Sequence, residues 1–416
     1  MASIKIRNVG PITKADFDLN KINVFMGPQS SGKSTIAKIC SQCSWYEKNH
    51  LLTGGEYDFY SGLLDFHRMD EGYFSDKSEI IYESDWSIIS FKGKGKKVWL
   101  EYKDREKENR YKNLKIEYIP AERNFAATIP NLEKYSGGYD NIINFLNDWI
   151  SFKETITKEK KYPIPLKTID VNYKYDTKTK EDILTLANNK TVLLQRSSSG
   201  QQSIIPLLVV CEFMFTTLYS QKRNPSPAEK KYIRSLLPES MKADYDWLTK
   251  MKGTEPKSKD NKNAELLKET EKNIWNELGM STDYDFSNVI IEEPEQNLFP
   301  ETQKELIYFL LSKVNDENRN HKMILTTHSP YILYALNNCL LGGLVKNNIP
   351  GDEQSDFQSK SSWINPEFVS VWEIENGHLR CVQDKDNIIS ENYFDTKMTE
   401  LTDEYFQILN YYQDEK

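Results

Sequence analysis

Residues 27–35 read Gly27-Pro28-Gln29-Ser30-Ser31-Gly32-Lys33-Ser34-Thr35, the spacing G-x-x-x-x-G-K-[ST]. They follow the apolar run 22–26 and precede a helical pattern, the context a phosphate-cradling loop requires. Glycines let consecutive backbone N–H groups curl around β- and γ-phosphates, Lys33 adds a point charge, and the Ser34 hydroxyl is placed to ligate Mg²⁺. The loop predicts a bound nucleoside triphosphate; the bland alternative is a Gly/Ser-rich turn of the same spacing. Residues 288–295 form an apolar strand that discharges into Glu292, Glu293 and Glu295, and residues 323–330 form another that ends in His328. Apposed carboxylates at a strand end repel each other unless a cation or a proton-sharing task occupies them, so Glu292 and Glu293 ask for Mg²⁺ and water. His328 taken alone is an ordinary strand-end histidine. Residues 196–203, Arg196-Ser197-Ser198-Ser199-Gly200-Gln201-Gln202-Ser203, stand before the apolar stretch 204–218 and read as a helix N-terminus with several free N–H donors.

These groups need elements to hold them. Three short β patterns (4–7, 14–19, 22–26) feed the phosphate loop, with Gly10-Pro11 as the first turn. From Cys40 to Asn113 the pattern is mixed, with a helical start and then alternating runs at 80–90 and 97–102, turning at Gly93 and Gly95, that read as an antiparallel insertion; 115–119 is a further strand ending in Pro120-Ala121-Glu122-Arg123. Strands are expected again from 170 to 194, with a hairpin tip at Ala187-Asn188-Asn189-Lys190. The strands ending in Glu292 and His328 have the unbroken apolar character of parallel strands covered on two faces, and 300–314 between them has helical periodicity. From 224 the chain turns charged: Ser226-Pro227-Ala228-Glu229 is a capping box, Pro238 closes that helix, 253–263 has loop composition, and 264–278 is a second helix. The tail carries a hairpin at Glu375-Asn376-Gly377 and a final helix with Met398, Leu401, Tyr405, Leu409 and Tyr412 on one stripe. The resulting organisation is one α/β domain over 1–416, with a mainly β inserted region at 45–114, the serine-glycine motif and its helix at 195–222, a helical insertion at 224–286, and a C-terminal hairpin and helix at 365–416.

The 416 residues suffice for a full core. No apolar run approaches the ~18 residues of a membrane span, and the N-terminus opens as a strand, so a soluble cytoplasmic protein with no membrane partner is expected. Five cysteines (Cys40, Cys43, Cys211, Cys339, Cys381) in apolar segments read as reduced core thiols; Cys40 and Cys43 resemble half a zinc site that no second pair completes. A net charge of −8 limits any DNA contact to a local patch such as Lys92, Lys94, Lys96 and Lys97, or Lys158, Lys160 and Lys161, each of which also reads as a solvated strand end.

The order of the four motifs resembles the ABC-type ATPases, and more closely their RecF/SMC-like soluble branch and the ATPase part of OLD-family proteins. The resemblance runs from Gly27 to His328. It implies an ABC-type P-loop domain, a mixed core sheet with an antiparallel β layer, that binds ATP and Mg²⁺. Gly27 to Ser34 match the Walker A loop, Ser198-Ser199-Gly200-Gln201 the signature motif, and 290–293 Walker B. Residues 294–298 match the loop that crosses the dimer interface, and His328 the switch histidine. On this resemblance Glu292 joins the Mg²⁺ shell with Ser34, Glu293 orients or deprotonates the attacking water, and His328 hydrogen-bonds the γ-phosphate or that water. Each signature helix points at the nucleotide of a partner subunit, which implies a homodimer, or an oligomer of such dimers, that sandwiches two ATP molecules.

The chain departs from the family pattern in four places. Ser197 stands where leucine is usual, Glu292 where aspartate is commoner, Glu122-Arg123 where a glutamine often follows a strand, and Gln296-Asn297 where many relatives carry histidine. No second catalytic constellation follows His328: Toprim-type acidic clusters are absent after Pro330. One reading is a regulatory ATPase of bacterial anti-phage defence that controls a separately encoded nuclease or toxin, docked on 224–286 and the helix 396–412. Another is a RecF-like repair clamp on DNA. A transporter subunit is disfavoured because Gly200 and Glu292 lie 92 positions apart, where transport ATPases use little more than one helix and a turn. A fourth is an ATP-held dimeric scaffold with negligible turnover.

Overall fold

Alternation of side chains builds the first hairpin. β1 (Ala2–Val9) and β2 (Ile12–Leu19) bury roughly every second residue and pair antiparallel around Gly10, whose φ of 53° suits a residue without a Cβ. β3 (Ile22–Met26) is buried at all five positions, the pattern of a strand covered on both faces. The chain, a computed structural model, is described at residues 2–55, 57–104, 111–129, 140–220 and 283–412, and in part between 230 and 251 and at 269.

The helices are α1 (Lys33–Thr53), α2 (Asn141–Thr157), α3 (Ser199–Phe215), α4 (Glu239–Met251), α5 (Pro300–Val314), α6 (Pro330–Val345) and α7 (Tyr393–Leu409). The strands continue with β4 (Phe74–Glu83), β5 (Ser87–Lys92), β6 (Lys97–Tyr102) and β7 (Leu114–Ile119). Next come β8 (Tyr162–Pro163), β9 (Val171–Asp176), β10 (Glu181–Leu186) and β11 (Thr191–Leu193). The last are β12 (Phe286–Glu292), β13 (Lys322–Thr327), β14 (Val369–Glu375) and β15 (His378–Cys381).

Eleven strands form one mixed sheet in the order β6-β5-β4-β1-β2-β15-β14-β3-β13-β12-β7. β14, β3, β13, β12 and β7 run parallel, while β1, β2, β4, β5 and β6 form an antiparallel wing. α1 covers one face against Phe25, Tyr118, Ile290 and Ile324. α2, α3, α5 and α6 cover the other against Val24, Ile119, Ile291 and Leu325. The four-stranded antiparallel sheet β11-β10-β9-β8 packs on that second face. The fold is α/β, with a P-loop between β3 and α1.

Several expected segments sit differently from their sequence outline. Residues 45–53 belong to α1, and β4 to β6 extend the main sheet through β1. The C-terminal hairpin is woven into the core, because β14 pairs in parallel with β3. Within 224–286, α4, a few positions before it, residue 269 and the residues from 283 on are described; the capping box at 226–229, the loop at 253–263 and the rest of the helix at 264–278 lie outside the described residues. Four cysteines are buried free thiols, Cys40 and Cys43 on the inner side of α1, but Cys381 is exposed, since β15 lies outside the helical cover. Among the described residues no group of three or more His, Cys, Asp or Glu is placed to hold a metal, and no helix is long and apolar enough to cross a membrane.

Candidate functional site

The phosphate loop lies where parallel β3 ends. Gly27, Ser30 and Gly32 take φ of 145°, 61° and 109°, so the chain curls back on itself before α1 starts at Lys33. A Cβ on Gly27 would stand 2.6 Å from the Ile374 carbonyl of β14, and one on Gly32 2.4 Å from the Ile12 side chain. Glycine is therefore fixed at both positions by backbone conformation and by close approach. Pro28 and Ser31 are half-buried, Gln29 and Ser30 exposed, Ser34 half-buried and Thr35 buried at the start of α1. Lys33 is buried, and its Nζ donates to the Gly27 carbonyl at 2.9 Å and the Pro28 carbonyl at 2.7 Å. Burial lowers its pKa to about 8, with Glu293 and Glu295 acting in the opposite sense. A phosphate accepting those N–H donors would restore the cation.

The acids sit two strands away. Register pairs Phe25 of β3 with Thr326 of β13, and Thr326 with Glu292 of β12. Glu292 thus stands about 10 Å from the end of β3 at the Cα level, two strand spacings. Ser34 and Glu292 are the residues that would hold Mg²⁺ beside a bound phosphate. Glu292 is buried, accepts the Tyr118 hydroxyl at 2.6 Å, and keeps lone pairs for a water or an ion. Bound Mg²⁺ would neutralise charge on the phosphate oxygens.

Glu293 leaves the strand. It has φ 45°, a left-handed conformation rare for a side-chain-bearing residue, and its N–H donates to the Thr326 carbonyl at 3.0 Å. Its carboxylate lies 3.2 Å from His328 Nε2. That hydrogen bond holds its pKa below the usual glutamate range, so the group is ionised at neutral pH and can orient a water and accept its proton. Glu295 is the third acid: Oε1 accepts the His328 backbone N–H at 2.6 Å, Oε2 is buried without a partner, and burial pushes its pKa up. Glu295 thereby ties the end of β13 to the loop after β12.

Arg123 holds this loop from below. Its side chain is fully buried and donates to the carbonyls of Glu292 at 2.8 Å, Glu293 at 2.8 Å and Pro294 at 3.3 Å. Burial brings even this guanidinium down to about 10. The sequence pointed at Glu122-Arg123 without separating their tasks. Glu122 is exposed and lies 3.7 Å from Arg68, whereas Arg123 fixes the backbone that carries the acids. A charged residue directly after an apolar strand was the available signal; its target lies 169 positions away in the chain.

Ser198 caps α3 by accepting the Gln201 N–H at 3.3 Å, and the Gln201 side chain accepts the Ser198 N–H at 3.4 Å. Ser198 and Ser199 are exposed, Gly200 and Gln201 half-buried. A Cβ on Gly200 would stand 2.9 Å from the Asn297 carbonyl, so the helix start lies against the loop that follows Glu293. The two line a cleft of about 500 Å³ with Leu298 and Phe299, the latter 81% exposed. Among the described residues, no hydrogen bond or ion pair joins 198–201 to the phosphate loop. The lysine clusters are partly engaged by the chain itself: Lys96 with Glu71 at 3.2 Å, Lys92 with Glu79 at 3.8 Å, and Lys161 with the Thr185 hydroxyl at 3.0 Å.

A family profile described as AAA ATPase domain matches residues 281–333, the stretch from β12 to the first turn of α6 that holds Glu292, Glu293 and His328. No curated protein matches the chain in sequence. Among solved structures, the SMC head domain from Thermotoga maritima is similar at 8% identity and TM-score 0.38, over 94% of this chain and 98% of that one. The dimeric ATP-binding cassette MJ0796 bound to ADP and Pi aligns at 11% identity and TM-score 0.31, over 92% and 99%. The recombination mediator protein RecF aligns at 10% identity and TM-score 0.31, over 91% and 97%. A curled phosphate loop, a strand-end acid two strands away, an ionised glutamate beside a histidine, and the AAA ATPase match over those acids make this chain an ATPase.

Proposed function

We propose that the protein is a regulatory ATPase that closes as a two-copy ATP sandwich and controls a separately encoded effector, a nuclease or toxin, in bacterial anti-phage defence. The observation that carries the sandwich is the start of α3. Its exposed first turn presents the positive end of the helix dipole, which suits an anion, yet it lies against the Asn297 loop and has no bond to its own phosphate loop. A second copy would bring that turn to the γ-phosphate held by Gly27 to Thr35. In the closed state Lys33 and Ser34 hold the phosphates and Mg²⁺, Glu293 orients the attacking water, His328 positions Glu293, and Ser199 and Gly200 of the other copy complete the γ-phosphate shell. The chemistry that the ATPase controls is assigned to a second polypeptide, and recovery of that polypeptide tests the assignment.

The test is an affinity pull-down of tagged Glu293→Gln protein from its native host with ATP and Mg²⁺, read by intact-complex mass. The substitution keeps nucleotide and traps the closed pair. A stoichiometric nuclease or toxin subunit supports effector control. A bare pair carrying DNA, with phosphate release strongly stimulated by DNA, replaces it with a RecF-like clamp.

A further inference from the structure

The last helix is rooted in the body and then leaves it. Asn392 and Asp395 form a capping box, Asp395 accepts the Tyr334 hydroxyl of α6 at 2.9 Å, and the Tyr393 N–H donates to Glu373 of β14 at 3.2 Å. Beyond this root every residue from 396 to 412 is exposed, on all sides of the helix. A helix of 17 residues standing in water is marginal by its own propensity and calls for a packing partner.

Its residues specify what kind. Met398, Leu401, Tyr405 and Ile408 follow one another within α7 at intervals of three, four and three, continued toward the body by Phe394, which packs on the core, and past the helix end by Tyr412. This is the alternating seam of a two-helix coiled coil, narrower than the stripe of a helix lying on a globular core. Thr399, Glu400, Asp403, Gln407 and Asn410 occupy the opposite side, with Phe406 the one large apolar residue among them. Met398, Leu401, Tyr405, Ile408 and Tyr412 are each 60–70% exposed. Together with the neighbouring Leu409 they offer an apolar patch larger than a monomer ordinarily leaves in water. Two such helices laid seam to seam would bury on the order of 1,000 Å², the threshold of a stable specific interface. The flanks do not oppose self-pairing: Lys397 and Glu404, of opposite sign, lie on one side of the seam and Asp395, Thr402 and Leu409 on the other. A seam built of alternating knobs is complementary to a second copy of itself, as a two-fold interface requires.

We infer that α7 is a self-association element, pairing with α7 of a second copy of this chain and holding two copies together without nucleotide. This contact is separate from the nucleotide-dependent one proposed above. The test is sedimentation equilibrium of the full chain in the Lys33→Ala background without nucleotide, so that ATP-driven closure contributes nothing. A dimer at tens of micromolar is expected. The exposed seam substitutions Leu401→Glu with Tyr405→Glu should weaken association at least about 100-fold, because they place charge in a desolvated seam. Gln407→Glu, on the polar side, should leave the dimer intact. A monomeric parent, a dimer that survives the seam substitutions, or a single copy that copurifies with a different polypeptide on α7 would overturn the inference.

Discussion

Arg123 does at residue scale what none of the acids can do for itself. Glu293 at φ 45° is a strained conformation, which persists only when its surroundings over-determine it. Three hydrogen bonds do so: its carbonyl accepts from Arg123 and from the Gln296 N–H, and its own N–H donates to Thr326. Arg123→Met keeps side-chain length but removes the donor to the buried Glu292 carbonyl, a cost of about 1–3 kcal/mol, and leaves the Glu293 carbonyl with the Gln296 N–H alone. We expect a lower unfolding midpoint, ATP affinity within a few-fold of the parent, and turnover reduced at least about tenfold. Arg123→Lys should recover part of the turnover. Equal losses of affinity and turnover would mean that Arg123 is merely structural. This role was not legible in the sequence. Types and spacing named the phosphate loop, Glu292 and Glu293, and the family resemblance added His328, because each lies in a local motif, whereas the partners of Arg123 are brought to it only by β7 pairing with β12.

At the scale of elements, the layers on the two faces seal two histidines. His67, at the end of the helical turn Gly62–Phe66, is fully buried, has neither ring nitrogen bonded, and meets Tyr118 of β7 edge-on at 5.3 Å. Burial drives it down to about 3. His321 precedes β13, accepts the Ser287 N–H of β12 through Nδ1 at 3.1 Å, and is lowered to about 4 by burial. Both lie below the ordinary 6.5, so under that pH the unfolded chain binds protons that the folded chain refuses. Stability is therefore full above pH 6.5 and falls as pH drops toward 4, by about 1.4 kcal/mol per unit for His67 alone. Urea midpoints measured at pH 7 and pH 5 should show this fall, and His67→Phe should lessen it; a pH-independent midpoint contradicts the assignment. Element types followed the sequence closely. The hairpin at Asn376-Gly377, with φ 51° and 77°, and α5 at Pro300–Val314 appear where turn chemistry and period place them. The joining of β4 to β6, β14 and β15 into one eleven-stranded sheet did not follow, because alternation tells a strand its faces and not its neighbours. α7 shows the same limit: its apolar stripe was visible, and that the body leaves it uncovered was not.

For the molecule as a whole, the parallel strands carry their chemistry at one end. The phosphate loop, Glu292, Glu293 and His328 all follow the carboxyl ends of β3, β12 and β13, the rule for open α/β sheets. The α3 start, proposed above to serve the nucleotide of a second copy, stands apart, against the Asn297 loop. The proposed sandwich shares each site between two copies. Its most direct test is complementation. Ser199→Arg fills the exposed first turn of α3 and leaves the acids; Glu293→Gln removes the carboxylate beside His328 and leaves the turn. Each protein alone should hydrolyse ATP at a small fraction of the parent rate. Mixed in equal amounts, half the pairs would be mixed, each with one intact composite site, and the rate should recover to about a quarter of the parent's. No recovery on mixing would show that the signature turn serves the nucleotide of its own chain, and would contradict the two-copy sandwich.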